Sequence, residues 1–314
     1  MIKKLATLFL FVSIMPFTFG ESVKERKKVA QHLQNISVTI KSKNGYRSSE
    51  GSGVLVVREV GEDEVTFVWT AAHVVDNLRE VREVITETGQ PRKVIEFKDA
   101  QIVREMVESG RRVGEIKMDA TVIKYSNADT GHDLALLMVR ARNYGKDSSS
   151  FYLNDDDPII PIGTNLYHVG SLLGQMGANS MTTGIVSQIG RTLEKMEYDQ
   201  TTVTAFPGSS GGGVFLTDGK YVGMLVRGAG EGFNLIVPIR RMLSWAEKND
   251  ILWALDTGVD MPSLDDIDEI PVEDSGINKK KKDDEDDDEI DEIDETKRAF
   301  PFLIRRTNII NLYE

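Results

Sequence analysis

The sequence contains no cysteine, which excludes disulfide bonds, thiolate metal sites and a cysteine nucleophile. Its 314 residues are enough to bury a core that is held by packing alone. Histidine is also scarce. The four histidines lack the i, i+4 spacing of a zinc-binding helix. The sequence therefore predicts no metal site and no cofactor.

An excess of positive charge is absent too, since the formal net charge is −12 at pH 7. This acidity is uneven: between Asp265 and Thr296 there are 17 acidic and 4 basic residues, so the rest of the chain carries about +1. Without a basic face, a nucleic-acid partner is not expected. Low hydrophobicity with high charge cannot offset the entropy cost of ordering, which predicts a disordered acidic linker over residues 256–298.

A long apolar run occurs only at the amino terminus. Lys3 and Lys4 precede the uncharged stretch Leu5–Phe19, and Gly20 ends it, which predicts a signal peptide over residues 1–20. The run is short for a membrane span, although an uncleaved anchor is the alternative. We expect a secreted or periplasmic protein with no membrane span after signal removal.

Short runs of β-branched and apolar residues predict an all-β body after a charged lead-in at 21–34. From Ile239 the apolar residues instead recur at i, i+3, i+4 and i+7, which predicts a helix over 239–249. The predicted strands cover residues 36–40, 53–57, 64–69, 118–125, 134–139, 166–169, 180–189, 201–205, 213–215, 221–226 and 233–237.

Three short strings stand in a fixed order in this β-rich context. They are TAAH ending at His73, GHDLALL containing Asp133, and PGSSGGG containing Ser210. Together they supply a base, an orienting carboxylate and an activated hydroxyl, the three parts of a Ser-His-Asp hydrolase. We assign these roles to His73, Asp133 and Ser210. Asp129 lies in a polar loop and is interpreted as a turn residue.

The spacing of glycines in the third string indicates which of its two serines is the nucleophile. The frame G-x-S-G-G favours Ser210 over Ser209 as the nucleophile. Glycine allows backbone N–H groups to approach a substrate carbonyl without an intervening side chain. An esterase of the α/β-hydrolase type is excluded, because its order is Ser, acid, His, whereas here it is His, Asp, Ser.

These motifs resemble the trypsin-like (chymotrypsin-fold) serine peptidases, closest to the cysteine-free bacterial HtrA (Deg) type without a PDZ domain. The resemblance covers residues 38–243 and includes the strings GSGV at 51–54 and TTGIVS at 182–187. It implies a protease domain over 35–250, built of two β-barrels at about 35–145 and 155–238 with the C-terminal helix after them. The chain departs from that type between Asn77 and Lys117, where it is longer and more charged.

The resemblance also implies roles for further residues. The N–H groups of Gly208 and Ser210 are expected to form an oxyanion hole, and Thr204 with residues 225–228 to line the substrate pocket. Within that second segment we single out Leu225, Val226 and Arg227. No acid is present there, so we expect small or apolar residues to be preferred over Lys or Arg, while Arg227 leaves an acidic preference open.

The function predicted from these features is that of a serine endopeptidase. It would cleave protein or peptide substrates through an acyl-enzyme. The alternative is a non-enzymatic peptide-binding or chaperone-like module on the same fold. The apolar and basic segment 299–314 is interpreted either as a docking segment, for the protease domain or a partner, or as a solvated end of the tail.

Overall fold

The computed structural model describes residues 23–85, 89–108, 111–154, 156–228, 230 and 232–274. The predicted signal peptide, the acidic stretch after Asp274 and the segment 299–314 lie outside the described residues. Among the helices of the described ranges, none is both long and apolar enough to cross a membrane.

The first body is a closed six-stranded barrel preceded by a helix. The helix α1 spans Val23–Asn35 and buries Leu33, and the strands follow one another round the barrel as β1-β2-β3-β8-β7-β6. Alternating apolar residues fill its interior, with Phe67 and Trp69 of β3 fully buried. The strands are β1 (Ser37–Asn44), β2 (Arg47–Val60), β3 (Asp63–Thr70), β6 (Ala100–Glu108), β7 (Arg111–Ser126) and β8 (Leu134–Val139).

The longer and more charged stretch noted in the sequence folds partly outside this barrel and partly as the barrel strand β6 and the beginning of β7. After β3, the short helix α2 (Ala72–Val75) leads into a separate two-stranded antiparallel sheet, β4 (Arg79–Ile85) with β5 (Pro91–Phe97). The pairing of β6 with β7 also continues from Ala100 as far as Glu108, opposite Arg111. The strands β4, β5 and β6 and the part of β7 before residue 118 were not predicted, because their residues lack a clear alternation of apolar and polar side chains; the rest of β7 was predicted at 118–125.

The second body is a sheet whose order is β13-β10-β11-β12-β15-β14-β9. An additional pairing of β13 with β14 closes six of these strands into a ring, and β9 lies parallel to β14 outside it. The strands are β9 (Ser150–Phe151), β10 (Asn165–Leu172), β11 (Gly177–Leu193), β12 (Met196–Thr201), β13 (Gly213–Leu216), β14 (Lys220–Gly228) and β15 (Asn234–Pro238). The predicted class of two barrels is confirmed.

One predicted strand is wrong. The run 201–205 was expected to be extended, but β12 ends at Thr201, where the prediction begins. Side-chain hydroxyls replace part of the ladder here, since Thr201 Oγ1 donates to the Ile185 carbonyl oxygen and Thr202 Oγ1 accepts from the Ile185 N–H. The chain therefore leaves the sheet toward the glycine-rich string.

The predicted C-terminal helix is confirmed as α3 (Ile239–Lys248). It buries its apolar face, including Met242 and Trp245, against the rest of the domain. Its amphipathic period made it readable from the sequence.

The expectation of disorder from Asp256 onward is wrong for residues 256–274, which we call the C-terminal strap. The strap contains the helix α4 (Leu264–Glu269), capped by the Ser263 side chain, and buries Ile267 almost completely. Its last residues run beside β7, where the Tyr125 N–H donates to the Val272 carbonyl oxygen at 2.7 Å. Apolar residues interspersed among the acids supply buried contacts that the average composition of the tail conceals.

Candidate active site

His73 lies in α2, immediately after β3 leaves the first barrel. Its ring nitrogen Nδ1 is 2.9 Å from Asp133 Oδ2 and 3.1 Å from Oδ1. The His73 backbone N–H donates to Asp133 Oδ1 at 3.0 Å. The carboxylate therefore fixes both the ring and the backbone of the histidine, and an Nδ1–H tautomer leaves Nε2 as the proton acceptor.

Asp133 precedes β8 in a strained backbone conformation, with φ at 56°. Non-glycine residues adopt this region at a cost of about 1–3 kcal/mol, so surrounding contacts must hold it. The residue before it is held at both ends: the His132 N–H donates to Ser126 Oγ at 2.6 Å, and the His132 carbonyl oxygen accepts from Arg241 Nη2 at 2.7 Å. The Asp133 side chain is 2% exposed, so it is presented to His73 out of water.

The charge state of Asp133 follows from its surroundings. Burial alone would raise the pKa of this carboxyl group, but the charge and hydrogen bonds of His73 and the guanidinium of Arg227 hold its pKa below the usual range. The carboxylate is therefore ionised near neutral pH and can stabilise a positive charge on the His73 ring.

The glycine-rich string forms a tight turn on the second body. Gly208 and Gly211 take φ values of +94° and +86°, which side-chain-bearing residues rarely adopt. A side chain at Gly211 would collide with the Ser52 carbonyl oxygen and with Thr70 Oγ1. The turn therefore contacts the end of β3, the strand that leads into α2 and His73. Only glycine permits this close approach.

The two serines of the turn have different environments. Ser209 is buried, and its hydroxyl accepts from the Phe206 N–H at 3.1 Å. Ser210 is half-buried, and its carbonyl oxygen accepts from the Ser52 N–H at 2.8 Å. The Ser209 hydroxyl is thus occupied inside the turn, whereas Ser210 lies toward the surface, in agreement with the spacing argument.

Ser52 connects the two bodies at this point. Besides the bond to Ser210, its hydroxyl donates to the Gly208 carbonyl oxygen at 2.7 Å and accepts from the Ser171 N–H at 2.7 Å. Its own carbonyl oxygen accepts from Thr70 Oγ1 at 2.7 Å. The GSGV string is visible in the sequence, but this role of Ser52 is not. Its partners lie far away along the chain, so no local pattern indicates them.

The expected oxyanion donors belong to the same turn. Within the described chain, the N–H groups of Gly208 and Ser210 donate to no other protein group, whereas the Pro207 carbonyl oxygen accepts from the Leu173 N–H at 2.7 Å. The peptide between Pro207 and Gly208 is trans, so its N–H points away from its carbonyl. The Gly208 and Ser210 N–H groups are therefore two backbone donors that no described protein group occupies.

The residues expected to line the pocket have unequal positions. Leu225 and Val226 are buried, and the Leu225 backbone pairs with Gly211 and Gly212, the two residues that follow Ser210. Thr204 is exposed, and its carbonyl oxygen accepts from Thr182 Oγ1 at 3.0 Å. The structure thus brings Leu225 to the glycine-rich turn through backbone hydrogen bonds.

The buried side chain of Asn234 links the two segments of the expected pocket. Its Nδ2 donates to the Val203 carbonyl oxygen at 2.6 Å, and its backbone is paired with that of Gly228. This linking residue was missed in the sequence.

Arg227 does not present a free charge to a substrate. Its Nη1 lies 3.0 Å from Glu194 Oε2, and its guanidinium carbon is 5.5 Å from the centre of the Tyr198 ring. Glu194 balances the positive charge, which weakens the argument for an acidic preference. Among the described residues, no cluster of three histidine, aspartate or glutamate side chains could hold a metal ion.

Comparison with known proteins agrees with this fold and geometry. The family model of the trypsin-like peptidase domain matches residues 51–224, which include all three strings. The chain therefore belongs to the trypsin-like peptidase domain family.

Two sequence relatives are a bacterial HtrA-like and a bacterial DegP-like serine protease. The chain is 29% identical over 186 residues to "Serine protease Do-like HtrA" of Lactococcus lactis subsp. cremoris, covering 56% of this chain and 37% of that protein. It is 36% identical over 100 residues to the "Probable periplasmic serine endoprotease DegP-like" of Halomonas elongata, covering 31% of this chain and 20% of that protein. The chain thus spans well under half the length of either relative.

Solved structures show the same fold. The serine endoprotease from Yersinia pestis aligns with a TM-score of 0.51 at 16% identity, covering 72% of this chain and 66% of that one. The structure of Deg5 aligns with a TM-score of 0.51 at 18% identity, covering 76% of this chain and 99% of that one.

Proposed function

We propose that this chain is a serine endopeptidase that cleaves peptide bonds through an acyl-enzyme on Ser210. The observation that carries the proposal is the buried Asp133 carboxylate bound to His73 Nδ1. His73 follows the end of β3, and the glycine-rich turn with Ser210 packs against that same strand end. A peptide-binding module needs no ionised buried carboxylate oriented on a histidine.

The reaction follows from these roles. His73 Nε2 takes the proton of the Ser210 hydroxyl as Oγ attacks the substrate carbonyl carbon. The N–H groups of Gly208 and Ser210 stabilise the resulting oxyanion, and Asp133 stabilises the positive His73 ring. The C–N bond then breaks as His73 gives the proton to the leaving amine. Water, activated by His73, hydrolyses the ester and restores Ser210.

Protein or peptide substrates with small or apolar side chains at the cleaved position fit the expected pocket best. Leu225 and Val226 are apolar, and Arg227 is neutralised by Glu194. No carboxylate is contributed by residues 225–228 that would select a Lys or Arg side chain.

We also propose a secreted or periplasmic location. The amino-terminal sequence with Lys3, Lys4 and the apolar run ending at Phe19 supports it, as does the periplasmic designation of the Halomonas relative. Fractionation of cells, with amino-terminal sequencing of the protein, tests it. A chain beginning at Glu21 outside the cytoplasm is the expected result, and an intact chain in the cytoplasm would contradict it.

A proteolysis assay tests the activity itself. Wild type, Ser210→Ala and His73→Ala are compared on an unfolded protein substrate and on quenched peptides, with exposed Ser48→Ala as the matched control. Both triad variants should lose activity by several orders of magnitude and the control none. Peptide binding without cleavage by wild type would favour the non-enzymatic alternative.

A further inference from the structure

The connection between β10 and β11, with the strand ends that flank it, packs directly on the turn that carries the expected oxyanion donors; we call these residues the loop 171–177. The Leu173 N–H holds the Pro207 carbonyl oxygen at 2.7 Å. A side chain at Gly208 would collide with the Ser171 carbonyl oxygen and lie about 2.5 Å from the Gly174 nitrogen. The loop and the turn are therefore in backbone contact at two successive positions.

This contact sets the direction of a donor. In a trans peptide the carbonyl and the N–H point to opposite sides, so a carbonyl of Pro207 fixed on Leu173 directs the Gly208 N–H to the other side. If Leu173 moved away, the peptide could rotate and the donor would be lost to the substrate oxygen. The position of Leu173 therefore controls the geometry of the oxyanion hole.

One residue of the loop, Leu173, has an unfavourable backbone conformation. Leu173 and Gly174 both have left-handed backbone angles, with φ at +63° and +68°. For a leucine this conformation costs about 1 kcal/mol or more, so surrounding contacts must maintain it.

Glu50 of β2 supplies such a contact from the first body. Its Oε2 accepts from the Gln175 N–H at 2.8 Å and occupies the space that a side chain at Gly174 would fill. Its other oxygen, Oε1, lies 3.4 Å from Lys41 Nζ on the paired strand β1. The carboxylate is thus held on one side by Lys41 and binds the loop on the other.

We propose that Glu50 is a positioning residue for the oxyanion hole. Its carboxylate fixes the loop 171–177, and Leu173 of that loop fixes the Pro207–Gly208 peptide. This inference rests on the proposed peptidase function. β2 would then position the glycine-rich turn in two ways: through Glu50 and the loop 171–177, and through the bonds that Ser52 makes to Gly208 and Ser210.

The kinetic test compares Glu50→Ala, Glu50→Gln and the control Glu59→Ala, an exposed position on the same strand. Loss of one oxyanion donor costs about 100- to 1,000-fold in kcat, so misorientation in Glu50→Ala should lower kcat about 10- to 100-fold with KM changed less than about twofold. Glu50→Gln keeps an acceptor oxygen for the Gln175 N–H and should recover most of the activity. Affinity for a peptide aldehyde, which forms a tetrahedral oxyanion, should fall in parallel with kcat/KM.

A second readout separates this proposal from the proposed function. Amide hydrogen exchange in the Ser210→Ala background should be faster at Leu173 and Gln175 in Glu50→Ala than in Glu59→Ala, whether or not the wild type cleaves peptides. Unchanged kcat and unchanged exchange in Glu50→Ala would overturn the positioning role of Glu50 and leave the proposed peptidase function intact. Equal effects of the Ala and Gln variants, with a lowered melting temperature, would also overturn it in favour of a merely structural role.

Discussion

The Arg241 guanidinium donates a 2.7 Å hydrogen bond to the carbonyl oxygen of His132, the residue immediately before Asp133. Arg241 belongs to α3, which follows the second barrel, whereas His132 belongs to the first. The helix therefore helps to hold the strained backbone that presents the Asp133 carboxylate to His73.

Replacing Arg241 with Met should weaken catalysis more than substrate binding. A hydrogen bond from a charged group contributes about 1.5–3 kcal/mol, and its loss would free the backbone before Asp133. We expect kcat to fall about tenfold with little change in KM. Arg140→Met, which removes an exposed ion pair with Asp99, serves as the control. Equal kcat values for Arg241→Met and Arg140→Met would contradict the positioning role of Arg241.

The buried His168 and the half-buried His132 predict that the fold becomes less stable in mild acid. Burial lowers the pKa of His132 to about 4, and burial likewise lowers the pKa of His168 to about 4, against an ordinary value of 6.5. The unfolded chain then binds more protons than the folded one, so the free energy of unfolding should fall as the pH drops from about 6.5 toward 4. His168 should cost roughly 3 kcal/mol across this window, and the partly exposed His132 less, because solvent screens its charge.

Urea unfolding at about pH 7 and about pH 5 measures the effect. His168 Nδ1 is 3.0 Å from the Gly213 carbonyl oxygen and Nε2 has no partner within the described chain, so His168→Gln keeps a possible donor without the titration. This variant should show a shallower fall in stability between the two pH values. A fall as steep as that of the wild type would rule out His168 as a source.

Truncation should separate the strap from the rest of the tail. Removing residues 265–314 deletes the buried Ile267, the hydrogen bond from Trp245 Nε1 to Asp274 Oδ2 and the ion pair of Arg79 with Glu273. Burial of one such side chain contributes about 1.5–3 kcal/mol, so this truncation should lower the melting temperature by several degrees. Removing only residues 275–314 should leave the melting temperature unchanged.

The shorter truncation also tests the proposal that residues 299–314 dock. If they bind the protease domain or a partner, activity, size by light scattering or pull-downs should change on their removal, because a tether raises local concentration. Identical behaviour in all three measurements would leave the segment a solvated end of the tail.

Cleavage preference should follow the charge balance at Arg227. A peptide library should show small or apolar residues at the cleaved position, and Glu194→Gln should increase cleavage after acidic residues by leaving Arg227 without its partner at 3.0 Å. A wild-type profile dominated by Lys or Arg would contradict the expected pocket.

The sequence predicts the fold class and the candidate triad because both are written in short local patterns. The strand predicted at 134–139 and the helix beginning at Ile239 match the structure, since each has a clear apolar period. Ser52, Glu50 and Arg241 could not be found in this way, because their partners lie far away along the chain and are brought close only by folding. The strap was missed because its buried residue Ile267 stands among acids that dominate the local composition.

The proposed peptidase activity depends most directly on the reactivity of Ser210. The full-length protein and its His73→Ala variant are treated with a fluorophosphonate, and the modified residue is located by mass spectrometry of the digested protein. We predict one adduct on Ser210 in the wild type, and labelling slowed by several orders of magnitude in His73→Ala, because the hydroxyl is activated by the histidine. Labelling of Ser209 instead of Ser210, or labelling of Ser210 at the same rate without His73, would contradict it.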